Sequence, residues 1–163
     1  MKVFINGLLA VIGVALFTFS PANAQTNISV PGTAAAEETF SGDLCGNQVN
    51  LVLKTPAANA DPKLKKHFGV WGLGKWDNGM CTALAVTEIN GSVATVHYFY
   101  GAGMPPNAPG MPGSFVKTDA VMKGKYLFFK SKLGYDVTYE LTNGQLMAWF
   151  STVTLSDKLQ KLQ

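Results

Sequence analysis

From residue 38 onward the chain alternates apolar and polar side chains in short runs, and glycine, asparagine or proline breaks each run. Tyr135, Val137, Tyr139 and Leu141 interleave with Asp136, Thr138, Glu140 and Thr142, the period of a strand with one wet face. Val49, Leu51 and Leu53 alternate in the same way with Asn50, Val52 and Lys54. Read with their flanking turn residues, these runs predict strands at 38–44, 48–55, 68–76, 80–89, 93–100, 115–122, 126–131, 135–142 and 145–155. The separators are Cys45-Gly46-Asn47, Asn90-Gly91, Lys123-Gly124-Lys125, Leu133-Gly134 and Asn143-Gly144, with Asn90-Gly91 the strongest hairpin signal. Helix is signalled only at 61–66, where Asp61 can cap and Pro62 can occupy the first helical position.

Such short connections pair neighbouring strands in sequence order, and a meander of this kind either leaves two open edges or closes on itself. The expected fold is therefore all-β, an antiparallel up-and-down barrel of eight or nine strands with at most one short helix. A Greek-key β-sandwich is the alternative. Several strands are apolar on both faces, as at Tyr98-Phe99-Tyr100, Leu127-Phe128-Phe129 and Met147-Ala148-Trp149-Phe150. One core uses one face of a strand, so a second buried surface is expected, supplied by a covering segment or by a partner, which can be a second copy of the chain.

The amino terminus adds a compartment. Lys2 precedes an apolar run over 7–19, followed by Ala22-Asn23-Ala24. That run is shorter than the roughly 20 residues that span a bilayer. It has the form of a secretory signal peptide over 1–24, cut after Ala24, which makes the protein periplasmic or secreted with no membrane span. Residues 25–37 are small and polar and read as an N-terminal arm, leaving 38–163 as a single barrel domain. Cys45 and Cys81 are the only cysteines, and in an exported chain such a pair is expected as a disulfide. Formal net charge is +3 and every basic residue is lysine. Without arginine or a basic cluster, nucleic acid is not an expected partner.

The segment Gly69-Val70-Trp71-Gly72-Leu73-Gly74-Lys75-Trp76 resembles the Gly-x-Trp opening of the calycin group, which includes lipocalins, fatty-acid-binding proteins and avidins. Gly74-Lys75-Trp76 is the best match. The run from Trp71 to Gly101 and the ending from Tyr135 through Phe150 look like small exported bacterial lipocalin-like proteins. The resemblance implies a barrel whose tryptophan plugs one end. The arginine that packs on that tryptophan in lipocalins is absent, and Lys158 or Lys161 stands in for it. Avidin's biotin-binding pattern is not traceable, so biotin binding is not carried over.

Candidate chemistry follows from the aromatics. Trp76, Tyr98, Tyr126, Tyr139 and Trp149 are the candidate lining of a pocket for a small apolar or amphipathic ligand. The uncharged, proline- and glycine-rich stretch 101–114, with Met104, Pro105, Asn107 and Met111, is the candidate cover for one mouth. No cofactor is expected. His67, His97, Met80, Met104 and Met111 show no metal-ligand spacing, and no nucleophile elbow or phosphate loop is present. A solid barrel docking a protein or cell-envelope partner is the competing function. A small hydrolase using His67 or His97 with Ser41, Ser92, Ser114 or Ser131 has the least behind it.

Overall fold

A computed structural model describes residues 36–101, 113–132, 134–150 and 153–163. The expected signal peptide, the arm up to residue 35 and the loop residues Met104, Pro105, Asn107 and Met111 lie outside the described residues. The chain runs β1 (Glu37–Leu44), β2 (Asn47–Lys54), α1 (Pro62–Lys65), β3 (Gly69–Trp76), β4 (Cys81–Asn90) and β5 (Val93–Gly101). It continues through β6 (Ser114–Lys123), β7 (Tyr126–Lys130), β8 (Asp136–Thr142), β9 (Gln145–Phe150), β10 (Val153–Asp157) and β11 (Leu159–Lys161).

Strands β3 to β9 pair in sequence order, and β10 and β11 close the sheet by pairing with β9 on one side and β3 on the other. The result is a closed antiparallel barrel of eight strands, with β10 and β11 as two pieces of the eighth. The expected barrel is found, with one difference at its end. The run 145–155, read as one strand, folds back on itself, so that Val153 lies opposite Phe150. Only Ser151 and Thr152 separate its two halves, and no glycine, asparagine or proline marks the reversal.

One hairpin also shifts. Asn90 stays in the ladder opposite Val93, and the chain turns over Gly91 and Ser92. The turns with positive φ at both central residues are Cys45–Gly46, at 55° and 77°, and Asn143–Gly144, at 53° and 76°. That is the conformation for which Asn-Gly is favoured between strands.

The barrel interior takes the alternate residues of each strand. Leu84, Val86, Ala94, Val96, Leu127, Val137, Leu146, Ala148 and Leu159 are all at 0% exposure, so no water-sized space touches them. The middle of the barrel is filled. Trp71 and Trp76 both point inward although they are five apart, which regular alternation forbids. A bulge between Trp71 and Gly74 corrects the parity, and it places Leu73 at φ 63°. A left-handed conformation costs a leucine about 1–2 kcal/mol.

Helix α1 plugs one end. Leu64 and Ala60 enter the core. Asp61 caps the helix by accepting from the Lys63 backbone N–H at 2.7 Å, and its own N–H bonds to Gly91 O at 2.9 Å. Lys63 Nζ reaches Gly124 O at 3.2 Å, so the plug is tied to two of the turns it covers. Trp71 donates its indole N–H to His67 O at 2.8 Å, and Lys161 Nζ lies 5.7 Å from the Trp71 ring centre. Of the two tryptophans in the Gly-x-Trp segment, Trp71 therefore closes the plugged end, not Trp76, and Lys161 is the cation above it.

Strands β1 and β2 pair only with each other, outside the barrel. Leu44, Leu51 and Leu53 pack on Val70, Ala83, Ala85 and Phe99, the outward residues of β3 to β5. This hairpin is a covering segment for β3 to β5, including Phe99 of the two-faced run Tyr98-Phe99-Tyr100; it does not reach the two-faced runs of β7 and β9. The Cys45–Cys81 disulfide pins its turn to the start of β4.

Two outcomes follow. The carboxy-terminal carbonyl accepts from Val70 N at 2.8 Å, and a Cβ at Gly69 would fall 2.1 Å from that same Gln163 oxygen. Gly69→Ala should destabilise by about 2–3 kcal/mol in urea unfolding, whereas Gly91→Ala, with open space around it, should cost only about 1 kcal/mol. Replacing both cysteines by alanine opens a 36-residue link and should cost up to about 4 kcal/mol. The hairpin should then be the first segment to exchange its amides.

Candidate functional site

The end opposite α1 is where β3, β5, β7 and β9 finish and β4, β6, β8 and β10 begin. Here the inward positions are aromatic. Tyr98 stacks on Tyr100 at 5.2 Å and tilts against Phe129 at 5.6 Å, and Phe129 stacks on Tyr139 at 6.0 Å. On the other side Trp76 lies 6.2 Å from Phe150, which meets Tyr135 edge-on at 5.4 Å. Trp76, Tyr98, Phe129 and Tyr139 are buried. Above them Met80, Tyr100 and Phe150 are half-buried, and Tyr135 is 49% exposed. The mouth is thus an aromatic floor under a partly open aromatic rim.

Three of the five candidate lining residues, Trp76, Tyr98 and Tyr139, come together in this floor. Tyr126 and Trp149 do not join them. Their inward neighbours are Leu127 and Ala148, so both lie on the outer face, where their rings meet edge-on at 6.0 Å. On that face lysines lie over the rings, with Lys123 Nζ 3.2 Å from the Phe128 centre and Lys125 paired to Glu140 at 2.5 Å. The rim residues Tyr100, Phe150 and Tyr135 share the parity of the floor and lie at or next to strand ends at this mouth. That combination of parity and strand end was the usable sequence signal. Thr82 had none, because a threonine on a strand is ordinary.

Thr82 matters because it brings a hydroxyl into the apolar floor. Its Oγ1 donates to Phe99 O at 3.3 Å. Burial pushes the Tyr98 phenol up to about 12, and its contacts with Thr82 and Trp76 offset part of that rise. Tyr139 is raised well above its ordinary value, first by burial and then by neighbouring Tyr98. Thr82 lies near enough to ease its ionisation but not in bonding geometry, since the Tyr139 hydroxyl has no hydrogen-bond partner among the described residues. An unpartnered buried hydroxyl costs about 1–3 kcal/mol.

The histidines lie elsewhere. His67 sits in the plug, where Nδ1 is 2.9 Å from Lys63 O, and burial lowers its pKa. His97 is on the outer face, its ring stacked at 6.5 Å on Phe99 and on Phe115, and is lowered by burial and by Lys117. Among the described residues neither is hydrogen-bonded to a serine or a carboxylate.

The tyrosines set a testable alkaline limit. The unfolded chain releases a phenolic proton near pH 10, while folded Tyr98 holds its proton to about 12. Stability present below pH 10 is therefore lost as pH rises through that window, by about 2–3 kcal/mol for Tyr98 alone. Tyr98→Phe should flatten the fall in urea stability between pH 10 and 12. An unchanged slope would mean that this phenol is reached by water.

No protein-family model matches the chain, and no match to a curated protein or to a solved structure was found, so what the site does is read from its own geometry.

Proposed function

We propose that this protein is an exported, lipocalin-like binding barrel that holds a small, uncharged amphipathic molecule across its open mouth. The observation that carries this reading is the half-buried ring of Tyr100, Phe150 and Met80 lying over a floor that contains an unpartnered hydroxyl, Tyr139 Oη. Aromatic rims offer flat apolar contact to a ring or chain, and the described inward positions carry no charged side chain. The reading places the ligand at the mouth, because the middle of the barrel is filled. The closed eight-strand barrel and the Lys161-capped Trp71 at the plugged end support the lipocalin-like resemblance. The disulfide suits an oxidising compartment outside the cytoplasm, and no helix among the described residues is long and apolar enough to cross a membrane.

The filled interior also favours one competing reading, a barrel that serves as an interaction module and takes no ligand. The two diverge in a single experiment. Native mass spectrometry of protein purified from its own host should show a bound small molecule. Nile red, a neutral fluorescent probe, should brighten in the mouth. Tyr100→Ala combined with Phe150→Ala should weaken Nile red binding at least about tenfold, and Trp149→Ala on the outer face should change it less than twofold. Equal losses from the two variants, or no binding by the wild type, would shift the function to the interaction module.

A further inference from the structure

Segment 56–67 meets the barrel end through three buried side chains, Ala60, Leu64 and His67, spaced four and three residues apart as on one face of a helix. It shares no ladder with the sheet. Its other ties are Asp61 N–H on Gly91 O, Lys63 Nζ on Gly124 O and the Trp71 indole N–H on His67 O.

Two of the three anchors are aliphatic, whereas the third can take up a proton. His67 is 3% exposed. Its Nδ1 lies 2.9 Å from Lys63 O, which can only accept, so Nδ1 carries the proton and Nε2 presents a lone pair. Nε2 is out of reach of water and has no hydrogen-bond partner among the described residues. A second proton on the ring would leave a buried N–H without an acceptor and a buried charge without a counter-ion.

The charges around the plug supply no counter-ion. Lys63, Lys65 and Lys66 lie on the segment itself, and Lys66 is the one whose charge bears on the ring. From β11, Lys161 stands over Trp71. At the β6–β7 turn Lys123 lies over Phe128 and Lys125 pairs with Glu140, and near the end of β4 Glu88 pairs with Lys54. Asp61 caps the helix at the Lys63 N–H, and the carboxyl end at Gln163 accepts from Val70 N–H.

We propose that His67 is an acid latch: a proton on Nε2 undocks segment 56–67 from the barrel end and uncovers Trp71, while the barrel itself stays closed. Released into water, His67 takes up its second proton near pH 6.5, whereas burial, aided by Lys66, holds the docked ring below that value. Docking is therefore complete above pH 6.5 and weakens as the pH falls below it. The latch lies at the end opposite the mouth, so it operates with or without a ligand there.

Amide exchange of the full chain, compared as protection factors at about pH 7.5 and about pH 5, tests the latch at values where ordinary carboxylates stay ionised. The Lys65 and His67 amides, which bond to Asp61 O and Leu64 O, should lose protection about tenfold or more at the lower pH. Amides of the β5–β6 and β8–β9 ladders should keep theirs. His67→Gln, neutral at both pH values, should abolish the loss. His67→Phe gives the same readout where glutamine disturbs docking, and His97→Gln on the outer face should retain the acid response. Equal loss in plug and ladders would be global unfolding and overturns the latch. So does a wild type whose plug is equally protected at both pH values, or a loss that persists without His67.

Discussion

Two hydrogen-bonded edges on the last strand turn this sheet into a barrel, and the other features depend on that closure. β10 and β11 lie between β9 and β3, and the chain ends with Leu162 N donating to Val70 O at 2.7 Å and Val70 N donating to Gln163 O at 2.8 Å. The seam therefore joins the first strand of the barrel to the final residues of the chain. Nearly all of its contacts are distant in sequence, so its loop-closure entropy is spent before any of them forms. The plug is built at the seam end of β3, where a column runs from the His67 carbonyl through the Trp71 indole that donates to it to the Lys161 ammonium over the Trp71 ring. An unclosed sheet would leave that column without a floor.

Closure also explains why a hairpin lies outside. Strands β3 to β5 turn Val70, Ala83, Ala85 and Phe99 outward, an apolar stripe that a lone barrel would leave to water. The β1–β2 pair shares no ladder with the barrel and holds by side-chain packing, the disulfide and the Lys54–Glu88 pair at 3.1 Å. An exposed ion pair of this kind contributes little, so the attachment rests on apolar packing and the covalent link. On the outer face of β7 and β9 the aromatics Tyr126, Phe128 and Trp149 have no such cover among the described residues, and lysine ammonium groups lie over Tyr126 and Phe128 instead.

The fold was legible where one face of a strand is wet. β8, with Asp136, Thr138 and Glu140 outward, shows its inward residues plainly. β7 reads Tyr-Leu-Phe-Phe, and nothing in that run says that Leu127 and Phe129, rather than Tyr126 and Phe128, face the core. Hence Tyr126 and Trp149 were grouped with Trp76, Tyr98 and Tyr139, though only the latter three share a floor. The tryptophans show the same limit in a second form. Regular alternation separates Trp71 from Trp76, and only a bulge, which leaves no mark in composition when its residue is leucine, brings both inside. The disulfide was legible because two cysteines behind an amino terminus that reads as a signal peptide have few other uses.

The filled interior constrains function more than the fold class does. A barrel of eight strands is just wide enough for side chains to fill or for one small ligand, and here leucines, valines and aromatics take the middle. What remains is the end that α1 does not plug. There Met80, Tyr100 and Phe150 are half-buried and Tyr135 is exposed. The floor beneath holds its hydroxyls in water-poor surroundings, which raise Tyr98 and Tyr139 alike. A phenol held neutral in this way can donate a hydrogen bond at any ordinary pH, so it favours a guest that brings an acceptor over one that brings a charge. Under the proposed function, shape and chemistry would then favour the same kind of molecule, flat or chain-like, uncharged, and carrying an oxygen or nitrogen acceptor at its buried end.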